Sequence, residues 1–342
     1  MTEERGLLMA AEIVEQPQVL ARLLAEGAGP IDAAAQRVRQ FAPRTVMFAA
    51  RGTSDHAALY GSYLVQTKLG VASGLSSPST TTVYGARPDL EGVLFVAVSQ
   101  SGGSPDLVES LRVARECGAL TVAVTNAPES PLARAAELAV DVCAGDELAV
   151  AATKSYTAEL LALYLLIVGA AEALDRGSLG ALPGAASATL TTLGSADAAA
   201  ATYRFADRIV VTARGYSYPT AREAALKLME TSYLSAHPFS GADLLHGPLA
   251  MIDASVPVIA VVTPGASGAA MAPVVERLRE LGVAPLLVGP SEGLPVATAG
   301  VAEELWPILE ILPLQQLAWR MALDRGFDPD RPRSLRKVTQ TH

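Results

Sequence analysis

The stretch VMFAARGTS at residues 46–54 recurs in related form as IVVTARGYS at residues 209–217, 163 positions further along the chain. Each copy is a short β-rich run followed by Ala-Arg-Gly-x-Ser and an Ala-rich segment of helical character. The same offset carries FVAV at residues 95–98 onto VIAV at residues 258–261. Because strands alternate with helices in both copies, we expect parallel sheets covered by helices on both faces. The repeat therefore predicts two doubly wound α/β halves.

The segments around the repeat complete this division. We place the first half at residues 35–170 and the second at residues 201–320, with an Ala/Gly/Ser-rich helical join at residues 171–200. A helical arm, residues 1–34, precedes the halves, and a tail, residues 321–342, follows them. A single dinucleotide-binding fold is the alternative, but no Gly-x-Gly-x-x-Gly follows the first strand of either half.

The composition excludes several classes of protein. Half of the 342 residues are hydrophobic, and the net charge of -9 argues against a nucleic-acid partner. Cys117 and Cys143 give neither a disulfide framework nor metal-ligand spacing. Apolar runs such as residues 160–170 are shorter than a membrane span, and the acidic start MTEER lacks the basic region of a signal peptide. We therefore expect a cytoplasmic protein that binds neither membrane nor nucleic acid.

The segment SQSGGS, residues 99–104, has the features of a phosphate-binding loop. It follows the apolar run at residues 93–98, and Ser104 with Pro105 marks the start of a helix. Helix N-termini at the carboxyl edge of a parallel sheet offer N–H groups and a favourable dipole to anions. The matching positions of the second half, residues 262–265, read VTPG and lack the serines. We predict one anion site, in the first half; the alternative is an ordinary serine-rich turn that caps a helix.

A narrow charged strip lies on an otherwise apolar helical segment. Glu223, Lys227 and Glu230 fall at i, i+4 and i+7, so they share one helix face. Burying such a strip without a partner would be unfavourable, so it should face something polar. A plain Glu–Lys surface pair is the alternative. The segment LHGP at residues 245–248 follows, and together with the phosphate loop these features indicate an enzyme that acts on a phosphorylated sugar.

The order of these motifs resembles that of the sugar isomerase (SIS) domain family. The motifs that carry the resemblance are ARGTS at residues 50–54, SQSG at 99–102, ALKLxE at 225–230, HGP at 246–248 and PRxLxK at 332–337. The chain most resembles the isomerase half of glucosamine-6-phosphate synthase and the stand-alone SIS-type glucosamine-6-phosphate deaminases. This resemblance implies two tandem SIS subdomains per chain and a homodimer whose active site is completed across the interface.

The same resemblance implies roles for individual residues. It places the substrate phosphate on Ser99, Gln100, Ser101 and Ser104, and the sugar near Thr53, Ser54 and the backbone at Val150. Glu230 matches the base that moves a proton between C1 and C2, with Lys227 and Glu223 on the same helix face. His246 matches the histidine that opens the sugar ring from the neighbouring subunit. Lys337 matches the tail lysine that contacts the open-chain carbonyl and can form a Schiff base in the synthase.

Elementary chemistry gives each role an independent reason. Histidine transfers protons in both directions near neutral pH, as opening a sugar ring requires. A positioned carboxylate can then remove the C2 proton, and a nearby ammonium can stabilise the enolate oxygen that develops. These steps need no metal or nucleotide cofactor.

Several positions depart from the synthase pattern. The sequence begins directly with the arm and not with an amidotransferase domain, so we expect no supply of ammonia from glutamine. Arg51 replaces a small residue, Gly103 and Ser104 replace a Glu-Thr pair, and Ala152 replaces a sugar-contacting serine. These forms resemble the stand-alone deaminases. Arg51 could contact substrate or tie down a loop, and His237 is a further candidate for substrate contact.

The leading hypothesis is an aminosugar-6-phosphate deaminase/isomerase that converts glucosamine 6-phosphate to fructose 6-phosphate and ammonia. The same groups could instead expel the 3-hydroxyl of N-acetylglucosamine 6-phosphate, as a dehydratase, or release an amine from a fructosamine phosphate. A non-catalytic sugar-phosphate sensor is the alternative of another class. Retention of Lys227, Glu230, His246 and Lys337 argues against the sensor.

Overall fold

The computed structural model describes residues 5–291 and 293–337, which fall into two compact units. The first unit comprises residues 18–147, 154–176 and 336–337. The second unit comprises residues 5–17, 148–153 and 177–335 within the described ranges. Each unit holds one sheet of five strands.

Helices separate most of the consecutive strands along the chain. The strands are β1 (Thr45–Ala49), β2 (Ala72–Leu75), β3 (Val93–Val98), β4 (Leu120–Thr125), β5 (Leu138–Asp141), β6 (Arg208–Ala213), β7 (Ser235–Ser240), β8 (Val258–Val261), β9 (Leu286–Gly289) and β10 (Leu294–Pro295). The helices are α1 (Leu7–Arg22), α2 (Ala28–Phe41), α3 (Thr53–Leu64), α4 (Ser79–Thr82), α5 (Pro105–Glu116), α6 (Pro131–Ala135), α7 (Lys154–Ala171), α8 (Arg176–Leu190), α9 (Leu193–Tyr203), α10 (Tyr218–Ser232), α11 (Gly241–Leu245), α12 (Ala266–Ala269), α13 (Ala272–Glu280) and α14 (Trp306–Asp324).

The two sheets confirm the predicted α/β class. The first has the order β2-β1-β3-β4-β5 and the second β10-β9-β8-β6-β7, and every pairing is parallel. Read from the opposite edge, the second order matches the first strand for strand, with β6 in the place of β1 and β8 in the place of β3. The repeat seen in the sequence is thus a repeat of topology.

Helices occur in both the expected arm and the expected join. Residues 1–34 contain α1 and the start of α2, and residues 171–200 contain α8 and most of α9. The tail expected at residues 321–342 begins within the last turn of α14, and its residues 338–342 lie outside the described residues.

Helix α7 is the most apolar helix of the first unit. Among the described residues it alone has the length and hydropathy to cross a membrane, yet 94% of its 18-residue window is buried inside the structure. It packs against α2 and α3, and Glu159 on its inner face is fully buried. Its apolar character is therefore that of a core helix.

The serine of each Ala-Arg-Gly-x-Ser repeat contacts a buried glutamate on a long helix of its own unit. In the first unit, the Ser54 hydroxyl donates to Glu159 of α7 at 2.9 Å. In the second unit, the Ser217 hydroxyl donates to Glu310 of α14 at 2.8 Å. A buried carboxylate needs hydrogen-bond donors, and in each unit the serine supplies one. The serine–glutamate hydrogen bond therefore joins the turn after the first strand of the unit to its long helix.

Glu310 lies in a cluster of hydroxyl groups with no exposed surface. Thr220 donates to it at 3.3 Å, and Ser217 and Thr263 also donate. Burial raises the pKa of Glu310 to about 7, although the three hydroxyl donors oppose the rise, and the carboxylate of Glu303 adds to it. Glu310 therefore holds a proton through much of the range in which an exposed glutamate has lost it.

Glu310 is expected to make the stability of the protein depend on pH. Between its ordinary pKa of 4.5 and its folded pKa of about 7, the folded chain binds a proton that the unfolded chain has released. The free energy of unfolding should therefore fall across that range, by roughly 3 kcal/mol. Urea unfolding at about pH 5 and about pH 8 checks this, because Glu310→Gln should gain stability over the wild type as the pH rises. A stability difference that is the same at both pH values would contradict the prediction.

Candidate active site

Loops that follow two adjacent strands lie at the switch point of the first sheet. β1 pairs with β2 on one side and with β3 on the other, so the direction of chain progress reverses between β1 and β3. In open parallel sheets, ligands collect outside the carboxyl ends of the strands at such a point. Residues 50–54 follow β1, and residues 99–104 follow β3. The first unit thus brings these two sequence motifs to the edge of the sheet that favours a ligand.

Residues 99–104, the serine-rich loop, keep hydroxyl groups available at this edge. The Gly102 N–H donates to the buried Ser99 hydroxyl at 3.2 Å, and the Gly103 N–H donates to Ser101 at 3.3 Å. Ser104 is the N-cap of α5, but its side chain makes no capping hydrogen bond to the helix. Its half-buried hydroxyl can therefore donate to an anion at the helix N-terminus.

The shape of the loop depends on Gly102. Its φ of +58° lies in the left-handed region, and a Cβ there would approach the Ser130 hydroxyl to 2.1 Å. Only glycine meets both conditions without a shift of the loop. The Gly102 carbonyl accepts the Leu132 N–H at 3.1 Å, which joins the loop to the first turn of α6.

Arg51 ties down the helix that follows the loop. Its Nε and Nη2 donate to one oxygen of Asp106, at 3.0 and 2.8 Å. Asp106 is buried in the first turn of α5, whereas the Arg51 side chain is 47% exposed. The structure thus shows Arg51 holding the first turn of α5, and contact of Arg51 with a substrate stays a prediction.

Other candidates of the sugar site differ in exposure. Thr53 is half-buried at the start of α3, and Gln100 is half-buried with its carbonyl accepting the Asn126 N–H at 3.1 Å. Ser54 is buried and donates to Glu159. Val150 and Ala152 are half-buried and belong to the second unit.

The charged strip of α10 is buried in the second unit. Lys227 contacts Glu223 at 3.3 Å and Glu230 at 2.5 Å, and both Lys227 and Glu223 have almost no exposed surface. Burial alone would lower the pKa of Lys227, but the two carboxylates outweigh it and raise the pKa above its usual value. Glu230 retains 22% of its side-chain surface. A fixed ammonium thus lies beside a carboxylate that solvent or a substrate can reach.

A cleft of about 280 Å³ opens beside Glu230. Its lining residues come from the end of α10 and from the segment after α14: Met229, Glu230, Tyr233, Arg333, Ser334 and Leu335. The sequence motifs included Glu230 and the Pro-Arg-x-Leu-x-Lys tail but gave no reason to expect that they line one cleft. Tyr233 was not predicted at all.

The histidines of the second unit occupy different positions. His246 is exposed at the C-terminal end of α11, where its backbone N–H donates to the Asp243 carbonyl at 3.0 Å. His237 is half-buried on β7, at one edge of the sheet, and its ring contacts the Ser235 hydroxyl at 3.0 Å. An exposed imidazole such as that of His246 is accessible to a substrate or to another chain.

Lys337 contacts a glutamate that the sequence reasoning missed. Its Nζ lies 3.0 Å from Oε2 of Glu147, which is fully buried. Ser155 donates to the same carboxylate twice, through its backbone N–H at 3.0 Å and its hydroxyl at 2.7 Å. Ser155, at the start of α7, and the Lys337 ammonium together stabilise the negative charge of Glu147, which burial would otherwise disfavour. In the sequence, Glu147 was marked only by lying three residues before Val150.

The second unit differs from the first at the loop after β8. The backbone N–H groups of Ala266 and Ser267, at the start of the helical turn, donate to the Glu303 carboxylate at 3.1 and 2.8 Å. A Cβ on Gly265 would meet the same carboxylate at 2.6 Å. In the second unit, the Glu303 carboxylate thus binds the N–H groups next to the loop that corresponds to the serine-rich loop. This agrees with the absence of the serines from residues 262–265.

Comparison with known proteins identifies the family. The family model of the SIS domain matches residues 41–169 and 202–302. The first range contains strands β1 to β5, and the second contains strands β6 to β10. The chain belongs to the SIS domain family. Its two parallel sheets flanked by helices are two tandem SIS subdomains, as the resemblance implied.

Relatives within the family act on sugar phosphates. The isomerizing glutamine–fructose-6-phosphate aminotransferase of Gloeobacter violaceus is 34% identical over 98% of this chain and 59% of its own length. The chain thus spans about three-fifths of that relative's length. The matched portion is the isomerase part of the aminotransferase. The structure of the C-terminal domain of glucosamine-fructose-6-phosphate aminotransferase from Francisella tularensis matches 95% of this chain and 98% of that domain, at 25% identity and a TM-score of 0.84. Glucosamine-6-phosphate deaminase from Thermotoga maritima shares the fold, with 23% identity, 98% and 100% coverage and a TM-score of 0.81.

Proposed function

We propose that this SIS protein is an aminosugar-6-phosphate deaminase/isomerase that converts glucosamine 6-phosphate to fructose 6-phosphate and ammonia. The observation that carries the proposal is the ion pair of Lys227 with Glu230, a partly exposed carboxylate beside a cleft on an otherwise buried helix. A buried ammonium beside a reachable carboxylate suits removal of a proton next to a carbonyl. The names of the aminotransferase relatives supply the substrate class, a six-carbon sugar phosphate and its amino derivative.

The proposal assigns phosphate recognition to the serine-rich loop of the first unit. Ser101 and Ser104 supply hydroxyls, Gly102 and Gly103 let the backbone approach, and α5 contributes the positive end of its dipole. The Arg51–Asp106 pair holds the first turn of α5 in place. Support comes from position, since the loop follows β3 at the switch point of the sheet.

The proposal assigns the proton transfers to His246 and Glu230 and the balancing of charge to Lys227. His246 opens the sugar ring, for which its exposed imidazole is accessible. Glu230 then removes the C2 proton and returns it to C1, which yields the imine of fructose 6-phosphate when the amine is free. Water releases ammonia from that imine. Lys227 balances the charge that develops on the enolamine or enolate, and Glu223 keeps Lys227 in place at 3.3 Å.

Two other outcomes would use the same groups. The first begins with the same C2 deprotonation, whereas the second must begin at C1, because C2 of a fructosamine is a carbonyl carbon without a hydrogen. With an N-acetyl group on the amine, loss of the 3-hydroxyl would make the protein a dehydratase. With a fructosamine phosphate as substrate, it would be a deglycase. A sugar-phosphate sensor of the same fold would bind without turnover, and the solvent-reachable Glu230 argues against that alternative.

Incubation of the purified protein with glucosamine 6-phosphate tests the proposal. We expect stoichiometric release of ammonia and fructose 6-phosphate, which coupled enzymes measure separately. Parallel reactions with N-acetylglucosamine 6-phosphate and with a fructosamine phosphate separate the dehydratase and deglycase alternatives. Binding of these compounds without any product would favour the sensor and contradict the proposed enzyme.

We also propose a homodimer in which His246 serves the site of the partner. If so, a His246→Ala chain and a Glu230→Gln chain should complement each other, because one site of each mixed dimer then contains both native groups. Random pairing of differently tagged, coexpressed chains should restore about a quarter of wild-type activity. Each variant alone is the control. A mixture no more active than the separate variants, or a fully active monomer, would contradict the shared site.

A further inference from the structure

Tyr233 lies at the point where the site helix ends. It is the C-cap of α10, three residues after Glu230, and its φ of +55° lies in the left-handed region. Its backbone N–H donates to the Leu228 carbonyl, which closes the last turn of the helix. Because a bulky side chain seldom adopts this conformation, contacts around Tyr233 must hold it.

Those contacts come from the segment after α14. The Tyr233 hydroxyl accepts the backbone N–H of Arg333 at 2.8 Å, and the Arg333 guanidinium lies 4.1 Å from the centre of the tyrosine ring. On the same chain segment, Phe327 packs against the ring with a centroid distance of 4.5 Å. One aromatic side chain thus makes a hydrogen bond, a cation–π contact and a ring contact with a single stretch of chain.

This stretch forms part of the cleft beside Glu230. Arg333, Ser334 and Leu335 line the cleft together with the residues at the end of α10, and Ser334 has a left-handed φ of +64°. A serine in that conformation is maintained only where neighbouring contacts determine the backbone. Arg333 directly precedes Ser334, and Tyr233 contacts both the backbone and the side chain of Arg333.

We propose that Tyr233 is a positioning residue whose ring and hydroxyl clamp residues 333–335 as the wall of the Glu230 cleft. The clamp limits access of water to the Glu230 carboxylate and fixes the start of the segment that carries Lys337 two residues later. Its role in turnover rests on the function proposed above, whereas the clamp itself is a property of the second unit.

Hydrogen exchange at the Arg333 amide tests the clamp without any assay of activity. Tyr233→Phe removes the acceptor but keeps the ring, so exchange of this amide should become about five- to tenfold faster. Arg333→Met removes the guanidinium and should also speed exchange, by about two- to fivefold. Arg331→Met is the matched control. Arg331 is an exposed arginine of the same segment, but its side chain is not among those that line the cleft. Unchanged exchange in Tyr233→Phe, or equal effects of Arg333→Met and Arg331→Met, would overturn the clamp.

A split of the kinetic constants tests the positioning role. Tyr233→Phe should lower kcat about five- to tenfold and leave KM within about twofold, because the serine-rich loop is unaltered. The Tyr233→Phe/Arg333→Met double variant should lose less than the two single effects combined, whereas Tyr233→Phe/Arg331→Met should show additive effects. Faster exchange with unchanged kcat would overturn the positioning role. Absence of turnover in the wild type would defeat the proposed function, while the exchange experiment would still decide the clamp.

Discussion

Replacing Glu230 with glutamine is expected to lower kcat by about 10²–10⁴-fold while KM changes only a few-fold. The amide keeps the size and most of the hydrogen-bonding capacity of the carboxylate but cannot accept the C2 proton. Lys227 should remain stably buried, because Glu223 still lies 3.3 Å from its ammonium. Steady-state assays of ammonia release measure both constants.

Glu280→Gln is the matched control for this variant. Glu280 also lies in the second unit and pairs with a basic residue, Arg277, at 2.7 Å, but both side chains are at least half exposed. The control should behave as the wild type, because exposed ion pairs contribute little to stability. If Glu230→Gln kept wild-type turnover, the strip on α10 would be structural.

Loss of the Ser101 and Ser104 hydroxyls is expected to raise KM strongly. A hydrogen bond to a charged oxygen is worth about 1.5–3 kcal/mol, so each serine should contribute roughly 10- to 100-fold. Ser104→Ala is the cleaner single change, because the Ser104 side chain makes no capping bond to α5. Ser101→Ala also removes the acceptor of the Gly103 N–H, so it should loosen the loop as well.

Two controls define the phosphate effect. Ser77→Ala changes an exposed serine of the first unit outside the loop and should leave KM unchanged. Glucosamine without its phosphate should be a very poor substrate of the wild type and should respond little to the serine substitutions. Equal turnover of glucosamine and its phosphate would mean that the serine-rich loop has another role.

The fold was predictable because its signals are local and repeated. Two β-rich runs 163 residues apart lead into the same Ala-Arg-Gly-x-Ser turn, and the strands that they predict became β1 and β6. The repeat also predicted β3 and β8, which occupy matching places in the two sheets. Strand order itself required the structure, since backbone pairing between distant strands leaves no mark in a single sequence.

The candidate site was predictable where its residues lie close in sequence. Glu223, Lys227 and Glu230 share a helix face by spacing alone, and the structure places them in contact. The pairs that depend on tertiary contact were not predictable. Arg51 with Asp106, Lys337 with Glu147 and Tyr233 with Arg333 are separated by 55, 190 and 100 positions.

Ser54 shows the limit of reading a motif by position. The resemblance placed it near the sugar, and the structure adds a hydrogen bond to the buried Glu159. The matching Ser217–Glu310 bond in the second unit shows that the serine has a structural role in both repeats. The sequence contained both serines, but their partners lie on helices more than 90 positions away.

Exchange of the C2 hydrogen of glucosamine 6-phosphate with deuterated solvent tests the central claim most directly. Removal of this proton precedes deamination, isomerisation and dehydration alike, so the measurement does not depend on the final product. Proton NMR should show loss of the C2 signal with the wild type and with Glu280→Gln, and no loss above the uncatalysed rate with Glu230→Gln. Exchange by Glu230→Gln at the wild-type rate would contradict the assignment of Glu230 as the base, and with it the mechanism proposed for this protein.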